Sequence, residues 1–277
     1  MPILAAGEPG GAAHPMRTHR LIGSRAIKYI ANAMKPSFYV FHYFFPRKRF
    51  RIPSLARPRR PNHSGASIPP IVWQTNYTDA VTLPVYVNYL FNRWMAPGYE
   101  FRFVSHSERD RFIDEFYPGE ISECFKRLQI GAAQADLWRV LVLKKYGGVY
   151  MDIDAHLVWP LARMIMPGLS ELLVTARDGS LTNFFIASTP DNPLLDRVVC
   201  KIVENIKRDN DTDVFKVTGP KAFADAIALS EATVEGFRTV CLQGNFTNEF
   251  FQYADKPAGK WHREQQQVDI VRKQPPG

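Results

Sequence analysis

Residues 132–154 read AAQADLWRVLVLKKYGGVYMDID. Leu137, Val140, Leu141 and Val142 mark the buried face of a helix. Tyr146-Gly147-Gly148 stops it, with glycine at the C-cap. Val149 to Met151 then reads as a short buried strand with Asp152 and Asp154 at its end. Successive side chains on an extended segment point to opposite faces, so the two carboxylates project together while Ile153 turns into apolar packing. Same-face carboxylates repel each other unless a cation or a shared proton relieves them. A hard divalent ion such as Mg2+ or Mn2+, itself bound to phosphate oxygens, is the usual relief. Open α/β sheets place ligands at strand ends, which weighs against a merely solvated acidic turn. Asp136 and Arg139 lie three apart on one face of the preceding helix. As a local ion pair in solvent they would matter little; turned toward a ligand, they would bind it.

The spacing A-x-x-D-x-x-R-x-x-x-L-x-x-x-G-G-x-Y-x-D-x-D is met by Ala133, Asp136, Arg139, Leu143, Gly147, Gly148, Tyr150, Asp152 and Asp154. It resembles the sugar-binding region of glycosyltransferase family 32, which includes fungal α-mannosyltransferases and bacterial capsule and lipopolysaccharide enzymes. The clostridial toxin glucosyltransferase domains look like more distant relatives. Nine matched positions are far more specific than D-x-D alone. The resemblance implies an α/β fold of the GT-A, nucleotide-diphospho-sugar transferase type: a Rossmann-like mixed sheet flanked by helices. It covers about residues 68–225.

Composition limits the alternatives. The chain has 277 residues and a net charge of +8. Residues 1–60 hold 12 Lys/Arg and 1 acidic residue, and the remainder holds 23 and 26, so the body is near neutral. A nucleic-acid binder needs a basic face on its folded domain, so no nucleic-acid partner is expected. Cys124, Cys200 and Cys241 form no C-x-x-C pair and suit a reducing compartment.

The basic charge belongs to an N-terminal tail. From His19 to Lys35 the period is helical, with Ile22, Ala26, Ile27, Ile30 and Met34 on one face and Arg20, Ser24, Arg25, Lys28 and Lys35 on the other. An aromatic run, Phe38 to Phe45, and the cluster Arg47-Lys48-Arg49 follow. A basic amphipathic helix of this kind suits an anionic membrane surface, and hence a peripheral place on the cytoplasmic face of a membrane. A helix that packs on the catalytic domain or pairs with another subunit is the plainer alternative, and a mitochondrial presequence a lesser one. The division expected is a disordered and amphipathic basic tail with its linker over 1–67, a GT-A domain over 68–263 and a polar tail over 264–277.

Within the body, Ile71 to Thr75 is the first buried strand expected. It resembles the family's opening segment, which ends at the nucleotide. Trp73 replaces the family's usual histidine and reads as a core aromatic, leaving Gln74 and Thr75 to touch the donor. Helices are expected over Leu83–Trp94 and Pro193–Arg208, and one capped by Ser107 running to about Tyr117. Strands are expected over Glu100–Val104, Leu172–Ala176, Phe184–Ala187 and Phe237–Leu242. Asn183 resembles a family asparagine near the donor sugar. Near the C-terminus, where the family often carries a metal- and phosphate-binding His or Ser beside a Trp, this chain has Lys260-Trp261-His262. His262 is either a further metal ligand or a surface histidine.

The resemblance implies a metal-dependent, retaining hexosyltransferase using a nucleotide-diphospho-sugar, GDP-mannose or a UDP-hexose, with Mn2+ or Mg2+ at Asp152 and Asp154. Asp136 and Arg139 would hold sugar hydroxyls and phosphate. The acceptor would be a glycan or glycolipid of surface polysaccharide or glycolipid biosynthesis. Two other classes compete. D-x-D after an apolar strand is also the nucleophile and acid of haloacid-dehalogenase-type phosphatases, but those want Thr or Val where this chain has His156 and place the motif near the domain's start. A non-catalytic membrane-associated sugar-binding protein would not need the intact carboxylate pair.

Overall fold

Gly147 and Gly148 bring the helix back against the sheet at a spacing no other residue allows. Their φ angles are +63° and +104°. A Cβ on Gly147 would stand 2.7 Å from the Pro190 ring, and one on Gly148 2.7 Å from the Ile71 carbonyl oxygen. Such backbone is open only to glycine.

The computed structural model describes residues 15–62, 65–256 and 259–273. The strands are β1 (Phe50–Arg51), β2 (Leu55–Ala56), β3 (Ile71–Thr75), β4 (Ala80–Val81), β5 (Glu100–Val104), β6 (Gly148–Met151), β7 (Ala155–Leu157), β8 (Glu171–Thr175), β9 (Leu181–Ser188), β10 (Val234–Gly236) and β11 (Cys241–Gln243). The helices are α1 (Pro15–Phe44), α2 (Leu83–Met95), α3 (His106–Phe116), α4 (Glu120–Arg127), α5 (Gly131–Tyr146), α6 (Pro193–Arg208), α7 (Val214–Val217), α8 (Pro220–Ala226), α9 (Phe237–Val240), α10 (Glu249–Gln252) and α11 (Trp261–Glu264). The fold is mixed α/β. Seven strands form the main sheet in the order β10-β8-β9-β6-β3-β5-β2. β3 runs parallel to both β5 and β6, whereas β9 is antiparallel to β6 and β8. The strand alternation splits the core. Val72, Phe101, Phe103, Val149, Met151 and Phe185 pack on one face, with Tyr89 of α2. Trp73, Tyr150 and Ile186 pack on the other, with α5, α6 and α8. The chain leaves β3 toward β5 on one side and returns as β6 on the other, so a crevice opens beyond the carboxyl ends of β3 and β6.

Several expectations change. Ser105, not Ser107, caps α3, and its capping box closes on Glu108: the Ser105 N–H donates to the Glu108 carboxylate at 2.7 Å. Phe237 to Leu242 is not one strand; its first half is the helical turn α9. The stretch expected as linker contains β2, which closes the sheet edge against β5, and the fully buried Ile52. Pairs of residues are too short to show a period, so β1 and β2 leave no pattern in the sequence. Ile270 and Val271, expected in a polar tail, are buried, and Gln129 donates its backbone N–H to the Ile270 carbonyl at 2.8 Å. The tail helix is also longer than its period suggested. α1 runs unbroken through Pro36 and lies on the body.

Candidate active site

The D-x-D carboxylates do not ride on a strand. β6 ends at Met151, and Asp152 to Asp154 form a turn closed by the Ala155 N–H donating to the Asp152 carbonyl at 3.0 Å. They nevertheless converge, because Gln243 reaches both: its Nε2 donates to Asp152 Oδ2 at 2.9 Å and to Asp154 Oδ1 at 3.4 Å. Ile153 packs into the core on the α2 face of the sheet and also borders the cavity; the turn, not strand alternation, sets its direction. The turn is gripped from behind by two fully buried amides of α2. Asn88 Nδ2 donates to the carbonyls of Ile153 at 2.8 Å and Ala155 at 2.9 Å. Asn92 donates to Ala155 at 2.8 Å and accepts the Leu157 N–H at 2.9 Å. On the far side Gly244 donates its N–H to the Asp154 carbonyl at 3.1 Å.

Behind the pair stands a second, buried layer of charge. Arg139 Nη2 lies 2.8 Å from Asp136 and 3.5 Å from Asp152. Its Nη1 donates to the Asn183 carbonyl at 2.6 Å, and its guanidinium sits 4.4 Å above the Tyr150 ring. Asp136 accepts from Asn183 Nδ2 at 2.9 Å and from Thr218 Oγ1 at 3.0 Å. The Tyr150 hydroxyl donates to Asp152 at 2.7 Å, linking the two layers. A solvent-exposed local pair is thereby ruled out, since Asp136 and Arg139 are both buried. α5 is buried nearly all round, so its two charges face a polar interior wall rather than water.

These groups form the floor of a cavity of about 800 Å³, a size that takes a small-molecule ligand. Burial pushes the Asp154 carboxyl up to about 7, and the neighbouring Asp152 charge adds to it. Burial also pushes Asp136 up to about 6, against the pull of Arg139. A divalent cation fits this donor set: two adjacent hard oxygen ligands, one of them destabilised as an anion by its neighbour, with room for phosphate oxygens and water beyond.

Of the other expected site residues, Thr75 and Asn183 line the cavity. The Thr75 hydroxyl is occupied by the Val104 carbonyl at 2.6 Å. Gln74 does not line it; strand alternation turns its side chain into the core, where neither amide atom has a hydrogen-bond partner among the described residues. Asn76 and Tyr77, just beyond β3, take its place at the cavity. Trp73 is core, as expected, donating to the Gly147 carbonyl at 2.9 Å. His262 lines the cavity from α11 with its ring against Trp261, centroids 3.5 Å apart. Among the described residues no group of three or more His, Cys, Asp and Glu gathers to hold a metal, so His262 does not complete a set with Asp152 and Asp154.

Arg109 carried no signature in the sequence. It is buried at the cavity wall, its Nη2 2.8 Å from His106 Nδ1 and its Nη1 donating to the Gly131 carbonyl at 3.3 Å. Its Nε has no hydrogen-bond partner among the described residues, and burial pulls its pKa down to about 10. Among the described residues no carboxylate pairs with it at contact distance, and a buried cation so placed invites an anionic ligand.

Residues 84–171 match the family described as glycosyltransferase sugar-binding region containing DXD motif. The chain is similar to "Toxin Afp18" of Yersinia ruckeri serotype O1, 34% identical over 101 residues, which is 35% of this chain and 5% of that one. It is similar to "Putative glycosyltransferase HOC1" of Saccharomyces cerevisiae, 24% identical over 200 residues, 60% of this chain and 50% of that one. Among solved structures, "PaToxG Glycosyltransferase" superposes with a TM-score of 0.42 at 20% identity, over 73% of this chain and 78% of that one. The chain therefore carries a DXD-containing glycosyltransferase sugar-binding region, and it spans half or less of the length of these two curated relatives.

Proposed function

We propose that the protein is a metal-dependent, retaining glycosyltransferase of GT-A type. It would move a hexose from GDP-mannose or a UDP-hexose to a hydroxyl of a glycan or glycolipid. The observation that carries this is the meeting of the Asp152/Asp154 turn with the buried Asp136–Arg139 network at the floor of one cavity.

Mn2+ or Mg2+, when bound, supplies Lewis-acid stabilisation of the diphosphate as it leaves. Asp154 and Asp152 would hold that ion, with Gln243 fixing their relative orientation. Arg139, charged at every working pH, would donate to phosphate or sugar oxygens while Asp136 keeps its fork in place. Arg109 would take a share of the remaining phosphate charge. In the transfer step the bond from the anomeric carbon to the phosphate oxygen breaks, its electron pair leaving with the diphosphate. The acceptor oxygen forms the new bond on the same face and its proton passes to the departing phosphate. That route needs no protein nucleophile, and retention follows from the family the motif resembles.

A hydrolysis screen of nucleotide sugars with Mn2+ tests the proposal. Release of sugar from one or two donors, competed by the matching nucleoside diphosphate, supports it. No hydrolysis and no nucleotide binding across the panel contradicts it.

A further inference from the structure

A helix lying on a globular body normally turns its apolar side inward and its charges to water. α1 does so only in part: its inward side mixes polar and charged residues with apolar ones, and large apolar side chains remain on its outward side. Its inward side carries Arg20, which pairs with both Glu235 oxygens at 3.0 Å. Buried Ser24 and Ala31 follow, then Lys35, donating to the Gly244 carbonyl at 3.2 Å. Next come Phe38, buried, and His42, which accepts the Leu83 N–H at 3.1 Å. Ile27 and Met34, expected on the outer apolar face, are half-buried against the body instead.

The outward side recurs at helical spacing through Ile22, Tyr29, Val40, Tyr43 and Phe44, which are 59%, 76%, 57%, 81% and 67% exposed. Ile30 and Phe45 flank it at 60% and 56%. These are two apolar patches, Ile22 to Ile30 and Val40 to Phe45, with the exposed Asn32, Ala33, Pro36 and Ser37 between them, and patches of this size on one side of a helix mark an interaction surface. The charges around them identify the partner. Residues 15–44 contain no Asp or Glu. Arg25 and Lys28 border the first patch, and Arg47 and Lys48 follow the second, all exposed. Two carboxylates that approach this segment are already paired: Glu235 with Arg20 and Asp255 with Arg49. Tyrosine and phenylalanine among cations suit the headgroup layer. No helix of the described residues is long and apolar enough to cross a membrane, which fits a helix lying in the surface plane.

We propose that the outer face of α1 docks the protein flat on an anionic lipid surface. The proposal does not rest on the reaction assigned above. α1 also touches the segment that borders the cavity: Asn248 Nδ2 donates to the Tyr39 hydroxyl at 2.6 Å, and the Tyr39 ring lies 4.7 Å from that of Phe251. Docking would therefore hold that segment at a fixed height over the lipid.

Co-sedimentation of the full chain with vesicles tests it, comparing phosphatidylcholine alone with phosphatidylcholine plus phosphatidylglycerol. The chain is expected to pellet with the anionic vesicles only, and less as salt is raised. The variant Ile22→Gln/Tyr29→Gln/Val40→Gln/Tyr43→Gln, with unchanged melting temperature, is expected to lose at least about tenfold in vesicle affinity. Arg25→Glu/Lys28→Glu is expected to bind more weakly as well. Equal pelleting of the four-site variant, or equal binding to neutral vesicles, overturns the proposal. So does a dimer that the four-site variant makes monomeric while neither form binds lipid, because the patches would then be a protein interface.

Discussion

The side-chain amide of Asn88 donates to the carbonyl of Ile153, the middle residue of D-x-D, at 2.8 Å from within a fully buried position on α2. The turn that presents both carboxylates is thus held by a helix 65 residues earlier in the chain. Asn88→Ala leaves the Ile153 carbonyl without that donor and is expected to cost about 1–3 kcal/mol. Urea denaturation measures it. Mn2+ affinity should fall in the folded variant, and unchanged metal binding would show that the turn keeps its shape without Asn88.

Arg139 touches Asp136, Asp152, Asn183 and Tyr150 at once. Alanine variants would strand a buried charge at about 3–5 kcal/mol, so conservative changes are the sharper test. Arg139→Lys keeps the charge and loses the planar fork. Asp136→Asn keeps the shape and loses the anion. Each is expected to cut donor hydrolysis steeply while metal-supported nucleotide binding survives. Near-normal turnover in both removes the pair from the site.

Arg109 is a buried cation that makes no contact-distance ion pair among the described residues, Asp110 and Asp136 attracting it only from further off. Arg109→Gln is expected to weaken nucleoside-diphosphate binding by about tenfold, the scale of one charge-assisted hydrogen bond. Thermal stability should hold or rise. A lower melting temperature with unchanged nucleotide affinity would mark Arg109 as purely structural.

His156 lies fully buried between Phe91 and Phe246, and burial pulls its pKa down to about 4. The unfolded chain takes up the proton near 6.5, before the folded one does. The histidine's contribution is therefore present above pH 6.5 and is lost as pH falls toward 4, by about 3 kcal/mol in all. Denaturation in metal-free buffer between pH 7 and pH 4.5 measures it. Asp154 and Asp136, raised to about 7 and about 6, gain stability as pH falls through the same window, so the reading is the difference between the native chain and His156→Leu. Stability of the native chain relative to His156→Leu should fall between pH 7 and pH 4.5, and a difference that does not change with pH would remove His156 from the acid response.

Sequence patterns located the elements with strong period and clear stops. β3 and β5 match expectation end to end, as does α6, opened by Pro193, and α2 runs one residue further than expected. D-x-D and the Asp136/Arg139 pair were visible because a loop, a helix and a strand pack their residues into 23 consecutive positions. What stayed hidden is held over distance. Gln243 reaches Asp152 from 91 residues away through the three-residue pairing of β11 with β7. Asn88 and Asn92 look like ordinary polar positions on an amphipathic helix until the turn they hold is seen. The tail misled for a related reason. Its period fixes which residues share a face, but Arg20 faces the body because Glu235, far along the chain, is there to receive it.

The central claim is that Asp152 and Asp154 hold a divalent ion for a departing nucleotide, and the rate of donor hydrolysis tests it most directly. With Mn2+ the native chain should hydrolyse its donor, EDTA should abolish this, and Asp154→Asn should lower the rate by at least about a hundredfold while remaining folded. Full hydrolysis in EDTA, or by Asp154→Asn in Mn2+, would contradict it.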